Sequence, residues 1–373
     1  MVENDRESIR RMIRAKGFDV VRFASADLVQ AVHRERFLTW LKAGWQANMD
    51  WLARDPERRL NPQRVLPGAL SVVVCGVNTW VADTPTTKGD PARPLIARYA
   101  RYRDYHEGMT KALREAGDAL ASHLGLSPDD HRSYVDTGPV MERGWAVRAG
   151  LGFQGKNGML ISRGHGNWLL LGVILVRYAF PPDEGMEGVN GDFVRRDPSP
   201  APPAGELCGT CTRCLTACPT RAIPEPGLVD ARRCLSFHTI ENRGSIPVEL
   251  RRPMGRRLFG CDECLEVCPW NRFAQAARSQ LLEYRPEIMR MRVVDFLRLN
   301  REQYTETFRR SPLKRPKLEG LLRNAAVVAG NVLREGTSAT EQAELISALQ
   351  DLLRHENDIV REHAAWALHE AEC

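Results

Sequence analysis

Between Cys208 and Pro269 the chain carries eight of its ten cysteines, and their spacing limits what this stretch can become. It opens as Cys208-Gly-Thr-Cys211-Thr-Arg-Cys214-Leu-Thr-Ala-Cys218-Pro219, a C-x2-C-x2-C-x3-C-P run. In such a run three thiolates hold one [4Fe–4S] cube, and the fourth, before the proline, crosses to a second cube. The run recurs as Cys261-Asp-Glu-Cys264-Leu-Glu-Val-Cys268-Pro269, with Leu258 where its first cysteine would stand. Two cubes need eight thiolates. The two runs supply seven, and Cys234, lying between them, is the natural eighth. The expected sets are Cys208, Cys211, Cys214 and Cys268 for one cube, and Cys218, Cys234, Cys261 and Cys264 for the other. Structural zinc also takes C-x2-C pairs, but it has no use for the x3 spacing, the prolines or a cysteine that reaches across. A disulfide framework is a poorer match, because nothing marks the chain as secreted. Two adjacent cubes pass electrons one at a time towards another centre.

That centre must be sought in the rest of a 373-residue chain, long enough for two or three domains. At 43% hydrophobic and 27% charged residues the composition is globular rather than disordered. The opening residues mix charges without an apolar stretch, so no signal peptide is expected. The longest apolar run, Trp168–Val176, is too short to span a bilayer and suits a buried strand. Cys75 lies in an apolar run and Cys373 is the last residue, so neither adds a disulfide framework. A cytoplasmic protein with no membrane contact is the expectation. The net charge of +6 hints at a polyanionic partner, and its distribution matters more than its size.

Periodicity divides the chain into three parts, an α+β multidomain protein. In residues 1–200, helices over 6–18, 28–43 and 107–124 are expected, with a further helix opened by Pro139. Strands are expected over 19–23, 71–77, 133–135, 158–162 and 168–176. This alternation suits an α/β or α+β domain. The stretch 197–205 reads as a proline-rich linker. Residues 201–285 form the cluster domain, and 286–373 are almost wholly helical in pattern. Three apolar-faced helices there, over 321–333, 343–353 and 360–371, resemble HEAT-type repeats. Ten Lys/Arg against four Asp/Glu lie between Arg290 and Arg323, crowded at Arg309, Arg310, Lys314, Arg315 and Lys317. Such a surface suits either plain solvation or a nucleic-acid backbone.

Two motifs mislead. Gly150-Leu-Gly152-Phe-Gln-Gly155 matches a dinucleotide fingerprint, but that fingerprint needs a strand before it and a helix after it. Here the order is reversed, and Gly150 reads as a helix C-cap. Asp104-Tyr-His106-Glu-Gly108 approaches the D-x-H-x-x-G signature that supplies a histidine to cobalt, with the glycine one residue too close. It reads better as a capped helix start. What is left is Tyr134-Val-Asp136-Thr-Gly-Pro139, which ends a strand on a carboxylate, a good place for a site at a sheet's edge. The alternative is an aspartate that merely caps the next helix.

Taken together, Val135-Asp-Thr-Gly-Pro139, Gly155-Lys-Asn157, the eight cysteines, Cys268-Pro-Trp-Asn271, Leu322-Arg-Asn-Ala325 and Val360-Arg-Glu-His-Ala-Ala-Trp-Ala-Leu368 resemble the epoxyqueuosine reductases over nearly the whole chain. The resemblance implies a cytoplasmic oxidoreductase that binds cobalamin without a protein histidine on cobalt. Its reaction converts the epoxide of epoxyqueuosine, at the wobble position of tRNA, to the cyclopentene of queuosine. It implies an N-terminal α/β cobalamin domain, a ferredoxin-like domain with two [4Fe–4S] clusters, and HEAT-like helices that grip the tRNA anticodon stem-loop. An external electron donor and a monomer are expected. By the same resemblance Asp136 is the proton donor, and Arg59, Tyr99, Asp136, Lys156, Asn157 and Gly158 line the cofactor pocket. Val173 stands where that family's pattern would lead one to expect a carboxylate.

The implied reaction takes two electrons and two protons and releases water. The departing oxygen needs a proton, since an alkoxide leaves poorly near neutral pH. Asp136 could supply it if burial raised its pKa, whereas a helix N-terminus would lower it; a desolvated pocket is the expected resolution. Two rivals share parts of the pattern: a cobalamin-dependent reductive dehalogenase, and a ferredoxin-type electron carrier fused to a binding module. The first would bring an export signal. The second would leave nearly 200 N-terminal residues without a task.

Overall fold

The β-branched run around Cys75 becomes the inner strand of the N-terminal sheet. In the computed structural model, which describes residues 2–27, 31–81, 90, 92–183, 186–187, 193–194 and 203–372, the first helix is α1 (Val2–Arg14). Strand β1 (Val20–Ser25), helices α2 (Ala31–Lys42) and α3 (Pro56–Leu60), and strand β2 (Ser71–Asn78) follow. Next come α4 (Tyr105–Leu124), β3 (His131–Tyr134), α5 (Glu142–Arg148) and β4 (Leu169–Val176). The strands form one sheet in the order β1-β2-β4-β3, with every neighbouring pair antiparallel. This corrects the α/β expectation: the N-terminal part is α+β. Alternating helices and strands record the order of elements, not the direction in which each strand is laid.

β2 is buried along its whole length, so both faces of the sheet are covered. Val73, Cys75 and Val77 pack with Ile9 and Ile13 of α1 and Met109, Leu113 and Leu120 of α4. The alternate residues Val72 and Val74, with Val173 and Leu175 of β4, pack on Trp145, Ala146 and Val147 of α5. Val173 is thus a fully buried core residue and makes no polar contact in a pocket. The helix expected from Pro139 begins at Glu142 instead, and the strand expected over 158–162 shrinks to Leu160–Ile161, paired with Phe153–Gln154. Residues 28–30 of the second expected helix, most of the linker stretch and Cys373 lie outside the described residues.

In the cluster region three short helices, α6 (Arg213–Ala217), α7 (Leu235–Ile240) and α8 (Glu263–Glu266), sit beside the cysteines. The three tail helices are α9 (Lys317–Glu335), α10 (Ala339–Leu352) and α11 (Asp358–Glu370). α9 is buried on almost every side. Its Leu321, Leu322, Ala325 and Val328 share one apolar core with Leu235, Ile246, Leu258 and Phe259 of the cluster region and with Val360 and Ala364 of α11. Gly330 allows this close approach, since a Cβ there would lie 2.8 Å from the Ala367 backbone. The buried guanidinium of Arg323 donates to the carbonyls of His238 (2.6 Å), Asn242 (2.9 Å) and Gly244 (2.7 Å). Asn324 donates to Thr239 and Leu258, and Asn331 to Arg251 and Gly255. Polar groups this deep must be paired, and here the pairs tie α9 to α7, to the loop after it and to the segment 251–258. Among the described residues no helix is long and apolar enough to cross a membrane.

Candidate active site and cluster loops

Asp136 stands two residues beyond the end of β3, with φ +55°, a left-handed conformation uncommon for a non-glycine residue. The helix that follows is capped by Met141, without a side-chain cap. Asp136 therefore does not cap α5. Its carboxylate meets the start of α4: the Tyr105 hydroxyl donates to Oδ2 at 2.9 Å, and His106 Nε2 lies 3.4 Å from the same oxygen. The other imidazole nitrogen, Nδ1, is 2.7 Å from Asp104 Oδ1. Asp104 is the N-cap of α4, accepting from the His106 backbone N–H at 3.0 Å, so the capped helix start read from the sequence is what forms.

This arrangement overturns the expected route to a raised Asp136. The His106 contact, followed by the Tyr105 hydrogen bond, holds Asp136 below the usual carboxylate range against the opposing effect of burial. Two-thirds of its side chain is open to the cleft, so solvent screens part of this pull. Burial disfavours the His106 cation, yet Asp104 and Asp136 on its two sides push it up to about 9. The raised carboxyl is Glu142, which burial pushes up to about 7 and whose Oε1 is buried without a hydrogen-bond partner.

A cavity of about 300 Å³ opens beside Asp136, lined among others by Trp40, Arg59, Glu142, Arg143 and Gly158. Arg59, on α3, donates to the carbonyls of Gly138 (3.3 Å) and Trp51 (3.2 Å), and burial lowers its pKa. Arg143 donates to the Gly158 carbonyl at 2.8 Å. Tyr99 stands behind Tyr105, ring edge to face at 6.0 Å, rather than among the lining residues. Lys156 and Asn157 turn the other way. Lys156 Nζ donates to the carbonyls of Gly209 (2.7 Å) and Cys211 (3.0 Å), and Asn157 Nδ2 to that of Cys264 (3.1 Å).

Cys208, Cys211, Cys214 and Cys268 line a single small cavity together with Lys156 and Trp270. Cys264 is pushed well above the ordinary thiol range, first by burial and then by the nearby Cys234, Cys261 and Cys218. Burial likewise pushes Cys261 up to about 12. These are the two sets that the spacing suggested. No group of three or more His, Cys, Asp or Glu among the described residues is arranged to hold a single metal ion.

The basic loop ahead of α9 borders the same region. The Arg310 carbonyl accepts from the Asp104 N–H at 2.7 Å, and the Arg310 side chain pairs with Glu107 at 3.1 Å. Arg315 pairs with Glu241 and lies over the Trp51 ring at 5.6 Å. Sequence reading missed Tyr105, His106 and Glu142 as members of the site. The only local signal for His106 was an Asp-x-His start to a helix, and it was spent on the cap.

Gly150 closes α5 in a Schellman turn, Leu151 N–H bonding to Ala146 and Gly150 N–H to Val147, which disposes of the nucleotide fingerprint.

Comparison with known proteins gives the arrangement a family. The family profile described as "Epoxyqueuosine reductase QueG, DUF1730" matches residues 59–137, and the one described as "4Fe-4S double cluster binding domain" matches 207–271. Epoxyqueuosine reductase of Xanthomonas campestris pv. campestris is 35% identical over 96% of this chain and 94% of its own length. That of Escherichia coli is 33% identical over 94% and 86%. An epoxyqueuosine reductase crystallised with an epoxyqueuosine-modified tRNA-Tyr stem loop superposes with TM-score 0.84, at 27% identity over all of this chain and 91% of that one. The Bacillus subtilis enzyme, in a form with its catalytic aspartate loop swung out of the active site, gives 0.81 at 26% identity over the same shares. With relatives this similar over nearly the full length of both partners, the chain belongs to the epoxyqueuosine reductase family.

Proposed function

We propose that this chain reduces the epoxide of epoxyqueuosine in tRNA to the alkene of queuosine, with cobalamin held in the cleft beside Asp136 and electrons supplied through two [4Fe–4S] clusters. One observation carries the reading. The segment Gly155–Met159 lines the cleft through Gly158 and, one and two residues earlier, hydrogen-bonds the loops that carry both sets of cysteines. Cofactor cleft and cluster loops are thereby coupled through adjacent residues.

The residues present suit a corrin, which offers an apolar ring edged by amide side chains. Phe37, Trp40 and Leu228 supply apolar wall, while Arg59, Arg143 and the orphaned Glu142 Oε1 are polar groups ready for the amides. When bound, the cofactor supplies the two-electron reducing power that single-electron clusters lack. Arg59 and Gly158 line its pocket, with Tyr99 supporting Tyr105 from behind. Lys156 and Asn157 act one step removed, by fixing the cluster loops against the cleft wall.

Asp136 is the proton donor to the departing oxygen. Its carboxylate faces the open cleft, and the strained turn that presents it is the kind of local cost that functional sites retain. The basic loop at Arg309–Lys317 borders the same face, which supports a tRNA backbone lying over the cleft mouth. α9, α10 and α11 serve as the HEAT-like support of that surface, within an organisation of 1–200, 201–285 and 286–373. An external one-electron donor completes the scheme, in a monomeric, cytoplasmic enzyme.

The test is anaerobic turnover of an epoxyqueuosine-bearing anticodon stem-loop by the reconstituted protein, read as the loss of one oxygen from the nucleoside by mass spectrometry. Turnover that depends on added cobalamin supports the proposal. Full turnover by the cobalamin-free protein would overturn the cofactor assignment.

A further inference from the structure

We propose that His106 is the proton store of this site: Asp104 fixes its ring, Asp136 and His106 hold one proton between them, and His106 is refilled from solvent after each transfer. The proposal rests on the reading of Asp136 as acid and extends it to the groups behind it.

The geometry leaves few alternatives. A carboxylate only accepts, so Nδ1, 2.7 Å from Asp104 Oδ1, must carry a hydrogen. The same Asp104 oxygen also accepts the His106 backbone N–H, which locks the ring's anchor into the first turn of α4. Nε2 is then the free end of the ring, and it points at Asp136 Oδ2 at 3.4 Å. With a neutral ring and an ionised Asp136, a lone pair would face a carboxylate oxygen. One proton between the two removes that repulsion, on either partner. The Tyr105 hydroxyl, on the same oxygen, orients Asp136, and its ring stacks on the imidazole at 4.1 Å. Burial pushes the Tyr105 phenol far above its ordinary value, so it serves as a hydrogen-bond donor and not as the acid.

The charged groups around the pair leave the proton there. Arg143, in the cleft wall, and Arg315, on the loop ahead of α9, both act on Asp136, and Glu107 on α4 is engaged by Arg310. Between its two carboxylates the imidazole is held as a cation up to about 9. Its side chain is one-third exposed and borders an open depression lined by Glu107, Thr110, Lys111 and Arg114. His106 thus touches Asp136 on one side and water on the other.

The step balances as follows. An epoxide takes two electrons, both from the external donor through the clusters, and two protons, and yields an alkene and water. As the first C–O bond breaks, the shared proton passes from Nε2 by way of Asp136 to the oxygen. Nε2, the ring nitrogen left without a hydrogen, then takes a proton from water and the pair is restored. The second C–O bond breaks as the second proton follows the same route, and the oxygen leaves as water.

Two measurements on the holoenzyme test this. In protein carrying carbon-13-labelled histidine, NMR should show His106 titrating well above the ordinary value of about 6.5, with Asp136→Asn lowering the midpoint by about one pH unit or more. A midpoint at the ordinary value, or one indifferent to Asp136→Asn, would overturn the shared proton. In turnover, His106→Gln should lower kcat by about 10–10²-fold with KM little changed, and should remove the alkaline limb of the kcat–pH profile. Asp104→Asn, which keeps the helix cap, should move that limb to lower pH. A His106→Gln enzyme with wild-type kcat and limb would sink the proposal, and should that variant lose its clusters, Asp104→Asn decides alone. If wild-type protein turned over no epoxyqueuosine, the functional reading would fail, while the NMR titration would still report on the pair.

Discussion

Asp136, the proposed acid, is held in its ionised form by its neighbours, and that shapes what its replacement should do. Asp136→Asn keeps the shape and can still accept from Tyr105, so iron content should be unchanged. It has no proton to give, and kcat should fall by roughly 10²–10⁴ with a much smaller change in KM. Near-normal turnover in that variant would transfer the acid's role to another group, with Glu142 the first candidate. The pair also predicts opposite pH dependences of stability. Asp136 has a folded pKa below its unfolded value, so its contribution is present at neutral pH and is lost as pH falls through the lowered value. His106 has a raised folded pKa, so its contribution is complete below about 6.5 and is lost as pH rises through about 9. Thermal midpoints of wild type should therefore decline more steeply across that alkaline window than those of His106→Gln. Parallel curves would mean that the imidazole gains nothing from its carboxylates.

At the scale of elements, the loop from Gly155 to Met159 and the helix α9 do the joining. Cys234 precedes α7 and belongs to the set with Cys218, Cys261 and Cys264. Cys234→Ala should lower iron from about eight to about four atoms per chain after anaerobic reconstitution, leaving the other cluster in place. Unchanged iron would show that the ligand is wrongly assigned. In α9, Arg323 is buried and serves three carbonyls, one from α7 and two from the loop after it. Arg323→Leu strands those acceptors and should destabilise the protein by about 2–4 kcal/mol, read from the denaturant midpoint. A shift within error would mean that water replaces the guanidinium.

For the whole molecule, the shared core is decisive. The sequence suggests that residues 286–373 are a separable tRNA-binding part, yet their apolar core is continuous with that of the cluster region. A chain ended after Tyr284 would expose Leu235, Leu258 and Phe259, and it should aggregate without assembling clusters. A stable, iron-loaded fragment would contradict this. The tRNA surface is better probed in the full chain. Arg309, Lys314 and Lys317 are exposed, and replacing all three with Ala should reduce the slope of log affinity against log salt by about 2–3. An unchanged slope would place the tRNA backbone elsewhere.

The cysteine sets, the Asp104 cap, the Gly150 turn and the strand carrying Cys75 could be read directly from the chain. Each depends on spacing along the backbone: ligands around one small cluster, a side chain reaching its own helix start, alternation across a sheet. What could not be read depends on distance through space. His106 and Asp136 lie 30 positions apart (136 minus 106), and nothing local to either shows that one oxygen will meet one nitrogen. The pKa of Asp136 was therefore open until α4 was packed against the end of β3. Strand direction and the reach of Arg323 into the cluster region were open for the same reason. Periodicity says which face of an element is buried, and only the assembled core says against what.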